Sequence, residues 1–338
     1  MTRRTWTVVA AGLLAFALGV LGATLPVPLV ALGPGPTYNT LGEVDGTAVV
    51  DVDGLPVYPA SGHLNMTTVS VIDRLTLFSV LGFWASENGR VIPREAVFPS
   101  GMSQQEIQQQ NTAQFVSSEA NAESAALAEL GIPATVIVTE LVPGTPVAEI
   151  LQPGDELLAV AGQPVDSVAA VTAALADTAA GETVGVTYRR EGQEHEARVE
   201  LAASPDRRHG LLGIIPGGIA RGGDITISLG GIGGPSAGLI FALSVVDKLT
   251  PGDLTDGRFI AGTGTIGPTG VVGKIDGVPF KMHAAREAGA TVFLVPAENC
   301  AEAVATAPDG LQLVRVETLH DAIAALEALS RGTPAPSC

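Results

Sequence analysis

The chain has 338 residues, of which 46% are hydrophobic and 41 are glycine, a composition that predicts a folded protein of one large or two modest domains. It carries 35 acidic and 18 basic residues, which gives a formal net charge of -17. So few basic residues are available to displace counterions from phosphates that nucleic acid is excluded as an expected partner.

The N-terminal segment is uncharged and strongly apolar. Trp6–Thr24 is long enough to cross a membrane, since about 20 residues at ~1.5 Å each span a ~30 Å hydrocarbon core, and we predict an anchor at 6–28. Arg3 and Arg4 precede this segment, so the positive-inside rule places residues 1–5 in the cytoplasm and the folded part outside. A cleaved signal peptide is the alternative, but the length of the apolar run favours a retained anchor.

The chain has two cysteines, Cys300 and Cys338. A disulfide between them would fit an oxidising exterior and would tie down the C-terminal tail, residues 332–338. The alternative is a buried free Cys300 with Cys338 at a frayed terminus, and the sequence leaves both open.

The N-terminal region, residues 33–130, carries no obvious chemistry. Its pattern predicts strands at 48–52 and 63–71, a helix over 78–84 and an alanine-rich helix over 117–130. Either these elements complete the sheet of a C-terminal domain, with the intervening segment inserted, or they form a separate unit.

Residues 131–203 have a different sequence pattern. A strand at 135–141 and a short helix at 147–151 lead to the pattern L-x-P-G-D-x-L-x-x-V-x-G-x-P-V, which starts at Leu151 and precedes a helix and two strands. This order resembles a PDZ domain of the bacterial type. PDZ domains bind extended chain ends by adding a strand to a sheet edge, and the resemblance places that groove near Gly131, Ile132, Pro133 and Ala134 and the strand that follows.

Residues 210–331 alternate strands and helices, which predicts an α/β domain. A strand at 225–229 runs into the glycine-rich stretch 230–238, where Pro235 and Ser236 open a helix with apolar residues at helical spacing. Glycines allow close approach of a ligand, and free N–H groups at a helix start stabilise negative charge.

A serine hydroxyl needs a base beside it to act as a nucleophile, and a lysine serves when burial lowers its pKa. Lys281 has apolar neighbours and lies in the first turn of a helix that begins near Pro279, where the helix dipole also disfavours its positive charge. Ser236 and Lys281 are therefore candidate catalytic partners.

The segment Gly234-Pro235-Ser236-Ala237-Gly238 also matches G-x-S-x-G, the nucleophile motif of α/β-hydrolases. That interpretation requires a histidine, either His283 with Asp276 or His320 with Asp321. A long glycine loop separates the strand from the serine, and both histidines lie at ordinary helix positions. The hydrolase interpretation is therefore weaker than the pairing of Ser236 with Lys281.

The C-terminal motifs, in order, resemble the Lon-type serine protease domain. They are the Gly-Pro-Ser-Ala-Gly segment, Thr263-Gly264-Thr265-Ile266, Lys281-Met282-His283-Ala284-Ala285 and the segment 291–299. The resemblance implies a Ser–Lys dyad, with Ser236 as nucleophile, Lys281 as general base and Thr263 orienting the lysine. Gly234, Pro235 and Ala237 would support the serine. Lon-type domains often form rings, so a homo-oligomer stays open.

Two departures from the family pattern concern the site. Gly233 stands where Lon proteases usually carry an acid, and the stretch before Lys281 differs from the usual Pro-Ile-Gly-Gly, which makes Lys274 a rival base. No G-x-x-x-x-G-K-[ST] phosphate loop occurs, because Gly273-Lys274 is followed by Ile275. We therefore expect no nucleotide, no other cofactor and no metal.

The predicted fold is an α/β (α+β) Lon-type proteolytic domain and a mainly β PDZ domain, after one transmembrane helix. The predicted function is an ATP-independent serine endopeptidase acting on proteins or peptides. It would be held in the cell membrane by a single pass, with its catalytic region outside the cytoplasm. The alternatives are a non-catalytic PDZ adaptor at the membrane, which would work without Ser236, and an esterase, which would need His283 or His320.

Overall fold

The computed structural model describes residues 3–84, 89–99, 101–203, 209–229 and 232–338. Helix α1, Arg3–Thr24, is the one helix in these ranges that is long and apolar enough to cross a membrane, and its Trp6–Thr24 segment is not buried against the rest of the chain. The helix ends before residue 28, the predicted limit of the anchor. Pro26 pairs with Thr76 and the Val27 N–H donates to the Leu75 carbonyl at 2.8 Å, so the chain already joins the folded part there.

The N-terminal region supplies six strands and two helices. They are β1 (Leu29–Asn39), β2 (Glu43–Val44), β3 (Thr47–Ala48), β4 (Val50–Asp53), β5 (His63–Ile72), α2 (Leu77–Trp84), β6 (Arg90–Pro93) and α3 (Gln104–Leu130). Helix α3 starts well before the predicted residue 117. Ser103 and Glu106 form a capping box at its start, so the glutamine-rich run is part of one long helix, which ends at Gly131 with φ 63°.

The next segment forms a sheet with its own apolar core. Its elements are β7 (Ala134–Leu141), β8 (Glu156–Val160), β9 (Gln163–Pro164), α4 (Val168–Ala174), β10 (Thr183–Arg190), β11 (Gln193–Glu200) and β12 (Ile214–Ala220). The strand order is β11-β10-β8-β7-β12, with β9 paired to β8. The helix predicted at 147–151 is a single 3-10 turn, Pro146–Glu149.

The Pro-Gly-Asp turn of this sheet is closed by an ion pair whose carboxylate is buried. Asp155 accepts hydrogen bonds from Arg190 Nε at 2.7 Å and Nη2 at 2.6 Å, and from the Gln152 N–H at 2.7 Å. Burial alone raises the pKa of the Asp155 carboxyl, but these hydrogen bonds outweigh it and hold the pKa below its usual value. The Pro-Gly-Asp motif therefore links the start of β8 to the end of β10.

The C-terminal region alternates strands and helices. Its elements are β13 (Asp224–Ile227), α5 (Gly238–Leu249), β14 (Phe259–Gly262), β15 (Thr265–Ile266), β16 (Val272–Gly273), α6 (Val278–Ala288), β17 (Val292–Pro296), α7 (Cys300–Thr306), β18 (Gln312–Val316) and α8 (Leu319–Ser330). Ten of the twelve residues of α5 are buried, because this helix lies in the centre of the largest core.

The main sheet combines the N-terminal and C-terminal regions. Its strand order is β18-β17-β14-β5-β1-β6, in which β18, β17, β14 and β5 are parallel and β1 is antiparallel to both neighbours. Helices α3, α5 and α8 pack in the core on one face, while α6 and α7 pack on the other. The β7–β12 sheet is thus inserted, in sequence, between strands of one α/β sheet.

The C-terminal tail lies beside β18. A disulfide joins Cys300 to Cys338, with the Cα atoms 5.1 Å apart. The Arg315 N–H donates to the Pro336 carbonyl at 3.0 Å, and Val314 pairs with Ser337. The tail therefore covers the outer edge of the main sheet, where it shields a parallel strand that would otherwise expose its hydrogen-bonding groups.

Candidate active site

Ser236 lies in a turn that leads into α5. Gly230 and Gly231, the first residues of the glycine stretch, are outside the described residues. The helix begins at Gly238, so Ser236 precedes it by two residues and does not occupy its first turn as predicted. Ala237 is buried at the helix start, and a Cβ on Gly238 would come within 2.8 Å of Ile266 and Ser118 atoms. The serine loop is therefore packed tightly against its neighbours.

Lys281 is carried by α6, which packs on the face of the main sheet opposite to α5, the helix that follows Ser236. It lies in the first turn of α6, which starts after Gly277 (φ 77°) and is anchored by the fully buried Val278 and Met282. Its Nζ donates to Ser236 Oγ at 2.6 Å, and the residue is only 3% exposed. Burial lowers the pKa of Lys281 to about 7, against the opposing charge of Asp276. The neutral amine is therefore accessible near neutral pH.

Thr263 connects the two side chains. It is fully buried at the end of β14, its Oγ1 accepts a hydrogen bond from Lys281 Nζ at 2.9 Å, and it donates to the Ser236 carbonyl at 3.0 Å. The Gly264 N–H donates to the same carbonyl at 2.9 Å. The structure thus brings together the three residues Ser236, Thr263 and Lys281, which are far apart in the sequence.

Helix α3 supports the serine loop from outside. The Asn111 carbonyl accepts a hydrogen bond from the Gly234 N–H at 3.1 Å, and Ser118 Oγ donates to the Pro235 carbonyl at 3.1 Å. A Cβ on Gly233 would lie 2.9 Å from Asn111 Cβ, so an acidic side chain does not fit at this position without a shift of the helix. The sequence reasoning missed both α3 residues, and the capping box at Ser103 was the signal that would have extended the helix to them.

The loop that precedes α6 is held by a residue that the sequence reasoning also missed. Asn299 is buried, its Oδ1 accepts from the Ile275 N–H at 3.0 Å, and its Nδ2 donates to the Ile275 carbonyl at 2.9 Å. These two hydrogen bonds hold Ile275, which lies in the segment between β16 and α6, the helix that carries Lys281.

An open cleft of about 590 Å³ gives access to the side chains of Ser236 and Lys281. Its walls come from β1, β5, the serine loop and the segment before α6, and its lining includes Gly234, Pro235, Ser236, Ala237 and Lys281. Lys274, the rival base, also lines the cleft but is solvent-exposed, whereas Lys281 is buried against the serine. Burial is what lowers the pKa of a lysine, so Lys281 is the better candidate for a base.

The two histidines of the hydrolase interpretation lie in other surroundings. His283 is half-buried on α6, and His320 is exposed on α8 with its Nδ1 2.8 Å from Glu129 Oε1. Among the described residues, the side chain hydrogen-bonded to Ser236 Oγ is that of Lys281. The geometry therefore supports the lysine, and not a histidine, as the partner of the serine.

The peptide groove predicted near residues 131–134 needs a correction. Gly131 caps α3, Pro133 accepts a hydrogen bond from the Arg221 N–H, and the Ala134 N–H donates to Asp166. The following strand, β7, has β8 on one side and β12 on the other. An internal strand cannot accept an added strand. β12 is the last strand on this side of the sheet, and its Gly218 N–H donates to Ser124 Oγ of α3 at 2.9 Å.

No group of three or more His, Cys, Asp or Glu side chains that could hold a metal is present in the part of the chain that the structure describes. The contacts of Ser236, Thr263 and Lys281 place a hydroxyl beside an amine, a set suited to acid–base and nucleophilic chemistry.

Comparisons with known proteins match both regions. A family model of the PDZ domain matches residues 107–201, beginning inside α3, and a model of the Lon protease C-terminal proteolytic domain matches residues 229–328. The second match leaves out β1 and β5, although both lie in the same sheet.

Lon protease 2 of Bacillus subtilis (strain 168) is 34% identical over 105 residues, which are 30% of this chain and 18% of that protein. The chain thus spans about a fifth of this relative's length.

Two solved structures are similar over about a quarter of the chain. The PDZ domain of an SdrC-like protein from Listeria innocua is 26% identical, with 24% of this chain and 90% of that chain covered and a TM-score of 0.23. A protein from Geobacillus thermodenitrificans is 30% identical, with 24% and 88% covered and a TM-score of 0.20. The family matches confirm the predicted fold class: the chain contains a PDZ domain and a Lon-type proteolytic domain.

Proposed function

We propose that this protein is a serine endopeptidase in which Ser236 is the nucleophile and Lys281 the general base. The observation that carries the proposal is the 2.6 Å contact between Lys281 Nζ and Ser236 Oγ in a setting that lowers the pKa of the lysine to about 7. A base with a pKa near the working pH is the most effective proton acceptor that is still available in its basic form.

The reaction follows from this geometry. Neutral Lys281 takes the proton of Ser236 as Oγ attacks the peptide carbonyl carbon, and the carbonyl oxygen becomes an oxyanion near the N–H groups that begin α5. Lys281 then gives its proton to the leaving amine as the peptide bond breaks, which leaves an acyl-enzyme. Lys281 then takes a proton from water as the water oxygen attacks the ester carbon, and it returns that proton to Ser236 Oγ as the ester bond breaks, which releases the second product and restores the free serine and the neutral amine. Thr263 stays in place and orients the amine.

The proposal includes hydrolysis without a nucleotide. The sequence printed above contains no phosphate loop, so nothing in it couples peptide hydrolysis to the unfolding of a substrate. The substrates would then be peptides or already extended segments of proteins. The PDZ domain would bind such extended chains or a regulator through a strand added at its edge.

The proposed location is the outer side of a membrane. Helix α1 has the length and composition of a span, and the arginines at positions 3 and 4 favour a cytoplasmic N-terminus. The disulfide between Cys300 and Cys338 is the kind of bond that persists in an oxidising compartment.

The test compares three variants of the full chain on a fluorogenic peptide and on an unfolded protein. Ser236→Ala and Lys281→Met remove the nucleophile and the base, and each is expected to lower the rate by about 10³-fold or more while circular dichroism stays unchanged. Lys274→Met changes the exposed lysine of the same cleft and is the matched control, which is expected to keep serine-dependent turnover.

Full activity in Ser236→Ala or in Lys281→Met would reject the dyad. A wild-type protein that binds unfolded chains but does not cleave them would favour the adaptor instead.

A further inference from the structure

Helix α2 consists almost entirely of apolar residues and is only partly covered by the rest of the described chain. The segment from Leu75 to Trp84 contains no charged residue. Four large side chains of α2 are about half exposed or more: Leu77 (49%), Phe78 (52%), Leu81 (50%) and Trp84 (81%). Val71 and Ile72, at the end of β5 just before this helix, are also exposed. So large a contiguous apolar patch marks an interaction surface.

The helix is attached to the end of the membrane-span candidate. Thr76, directly before α2, pairs with Pro26, two residues after the end of α1, and the Val27 N–H donates to the Leu75 carbonyl at 2.8 Å. At Gly22, an added methyl group would lie 3.4 Å from the Phe78 ring, so α2 packs against the last turns of α1. Its exposed side is therefore continuous with the exposed apolar surface of α1.

We propose that α2 lies in the interfacial layer of the lipid bilayer, where phospholipids cover its exposed side and dock the folded part on the membrane. This inference rests on the proposal that α1 crosses the membrane. Eight residues extend for only about 12 Å, so α2 cannot cross the bilayer and instead lies at its surface.

Two further features favour lipid over a second protein chain. Trp84 is the most exposed large apolar side chain of the helix, and tryptophan concentrates where hydrocarbon meets headgroups. Arg74 and Arg90 lie before and after α2 and are both exposed. In a chain of net charge -17, arginines on both sides of one apolar helix fit the phosphates of lipid headgroups.

Docking at α2 would fix the height of the catalytic cleft above the membrane. Strand β1 leaves the membrane side at Leu29 and reaches the cleft at Pro36 and Tyr38, which line it. At ~3.3 Å per residue the strand covers about 30 Å. The cleft would therefore act on substrate segments that lie within about this distance of the bilayer.

The experiment uses the two tryptophans of the chain as probes. The full chain is reconstituted into vesicles of phosphatidylcholine or of brominated phosphatidylcholine, whose bromine atoms quench tryptophan at short range. Trp6→Phe leaves Trp84 as the reporter of α2, and Trp84→Phe leaves Trp6 as the reporter of α1. With both tryptophans replaced, Leu81→Trp gives a second α2 probe, and Val304→Trp gives a probe on exposed α7.

We expect Trp84 and the tryptophan at position 81 to lose emission in brominated vesicles to an extent comparable with Trp6, and to emit at shorter wavelength than the probe at position 304. The probe at 304 should be unquenched. Quenching of Trp6 without quenching at 84 or 81 would overturn the docking of α2 and leave the membrane span intact. Absence of quenching at all three positions would reject both. Blue-shifted but unquenched emission at 84 and 81 would assign α2 to a protein partner, such as a second copy, and also overturn the proposal.

Discussion

The PDZ domain and the proteolytic domain each bury an ionisable side chain, and they surround it with opposite chemistry. Asp155 is 2% exposed and has a full partner in Arg190, so its pKa is lowered and the carboxylate stays charged. Lys281 is 3% exposed, yet its direct partners are the uncharged hydroxyls of Ser236 and Thr263. Its pKa falls to about 7, which makes the neutral form accessible.

The difference separates a structural ion pair from a reactive base. A buried charge with a complete set of partners is held in one protonation state and stabilises a turn. A buried amine without a carboxylate in contact loses its proton more easily, and this is the property that acid–base catalysis requires. Similar burial therefore gives a structural ion pair at Asp155 in the PDZ domain and a candidate base at Lys281 in the proteolytic domain.

Removal of Asp155 should have the largest effect on stability. Asp155→Ala leaves the Arg190 guanidinium without its partner and opens the Pro-Gly-Asp turn, so we expect the PDZ domain to lose about 3 kcal/mol of unfolding free energy. Hydrogen exchange measured by mass spectrometry reports this loss separately for β8, β10 and the main sheet.

Glu194→Ala is the matched control, because it removes a partner of Arg189 that is exposed at the surface and should change stability by less than about 1 kcal/mol. We expect Asp155→Ala to cleave short peptides at the wild-type rate. An equal loss of protection in the main sheet would show that the two cores do not unfold separately.

The pH profile tests the lysine directly. Lys281 is inactive when protonated, so kcat/KM should rise about tenfold per pH unit below pH 7 and level off above it, a change of about a hundredfold between pH 5 and the plateau. Initial rates on a short peptide in buffers of constant ionic strength measure the profile. A plateau that begins only near pH 10 would mean that burial does not lower this pKa.

The same pKa has a consequence for stability. Because the folded pKa lies near 7 and the unfolded value near 10.5, the unfolded chain binds more protons between these two values. The wild-type unfolding free energy should therefore rise with pH across this window, and Lys281→Met should lack that rise. Parallel denaturant unfolding of the two proteins at pH 7 and pH 9.5 measures the difference, and identical pH dependence would contradict the assignment.

Thr263 should have the smallest effect of these groups. Thr263→Val keeps the shape but removes the hydroxyl that accepts from Lys281 and donates to the Ser236 carbonyl, and we expect kcat to fall about tenfold. The hydroxyl also favours the charged amine, so the midpoint of the pH profile should move to lower pH. Thr263→Ser should restore both values, whereas a fall in rate without a shift of the midpoint would assign Thr263 a purely structural role.

The PDZ domain was the easier region to predict. Its strands are contiguous in sequence, and its motif encodes local turns, including the one that Asp155 closes. The predicted helix at 147–151 is a single 3-10 turn, and the predicted groove does not fit β7, because strand order depends on where β12 returns to the sheet. A pattern of alternating residues does not specify whether a strand has one neighbour or two.

By itself, the sequence determined the apolar N-terminal segment, the two-domain composition and the pairing of Ser236 with Lys281 as candidates. These conclusions depend on local patterns and on motifs in a fixed order. The tertiary structure decided that β1 and β5 complete the sheet beside β14, that α3 packs against Gly233 and supports the serine loop, and that Lys281 rather than Lys274 is buried at the serine. Each of these depends on contacts between segments far apart in the chain, and it is this long-range burial that lowers the pKa of Lys281.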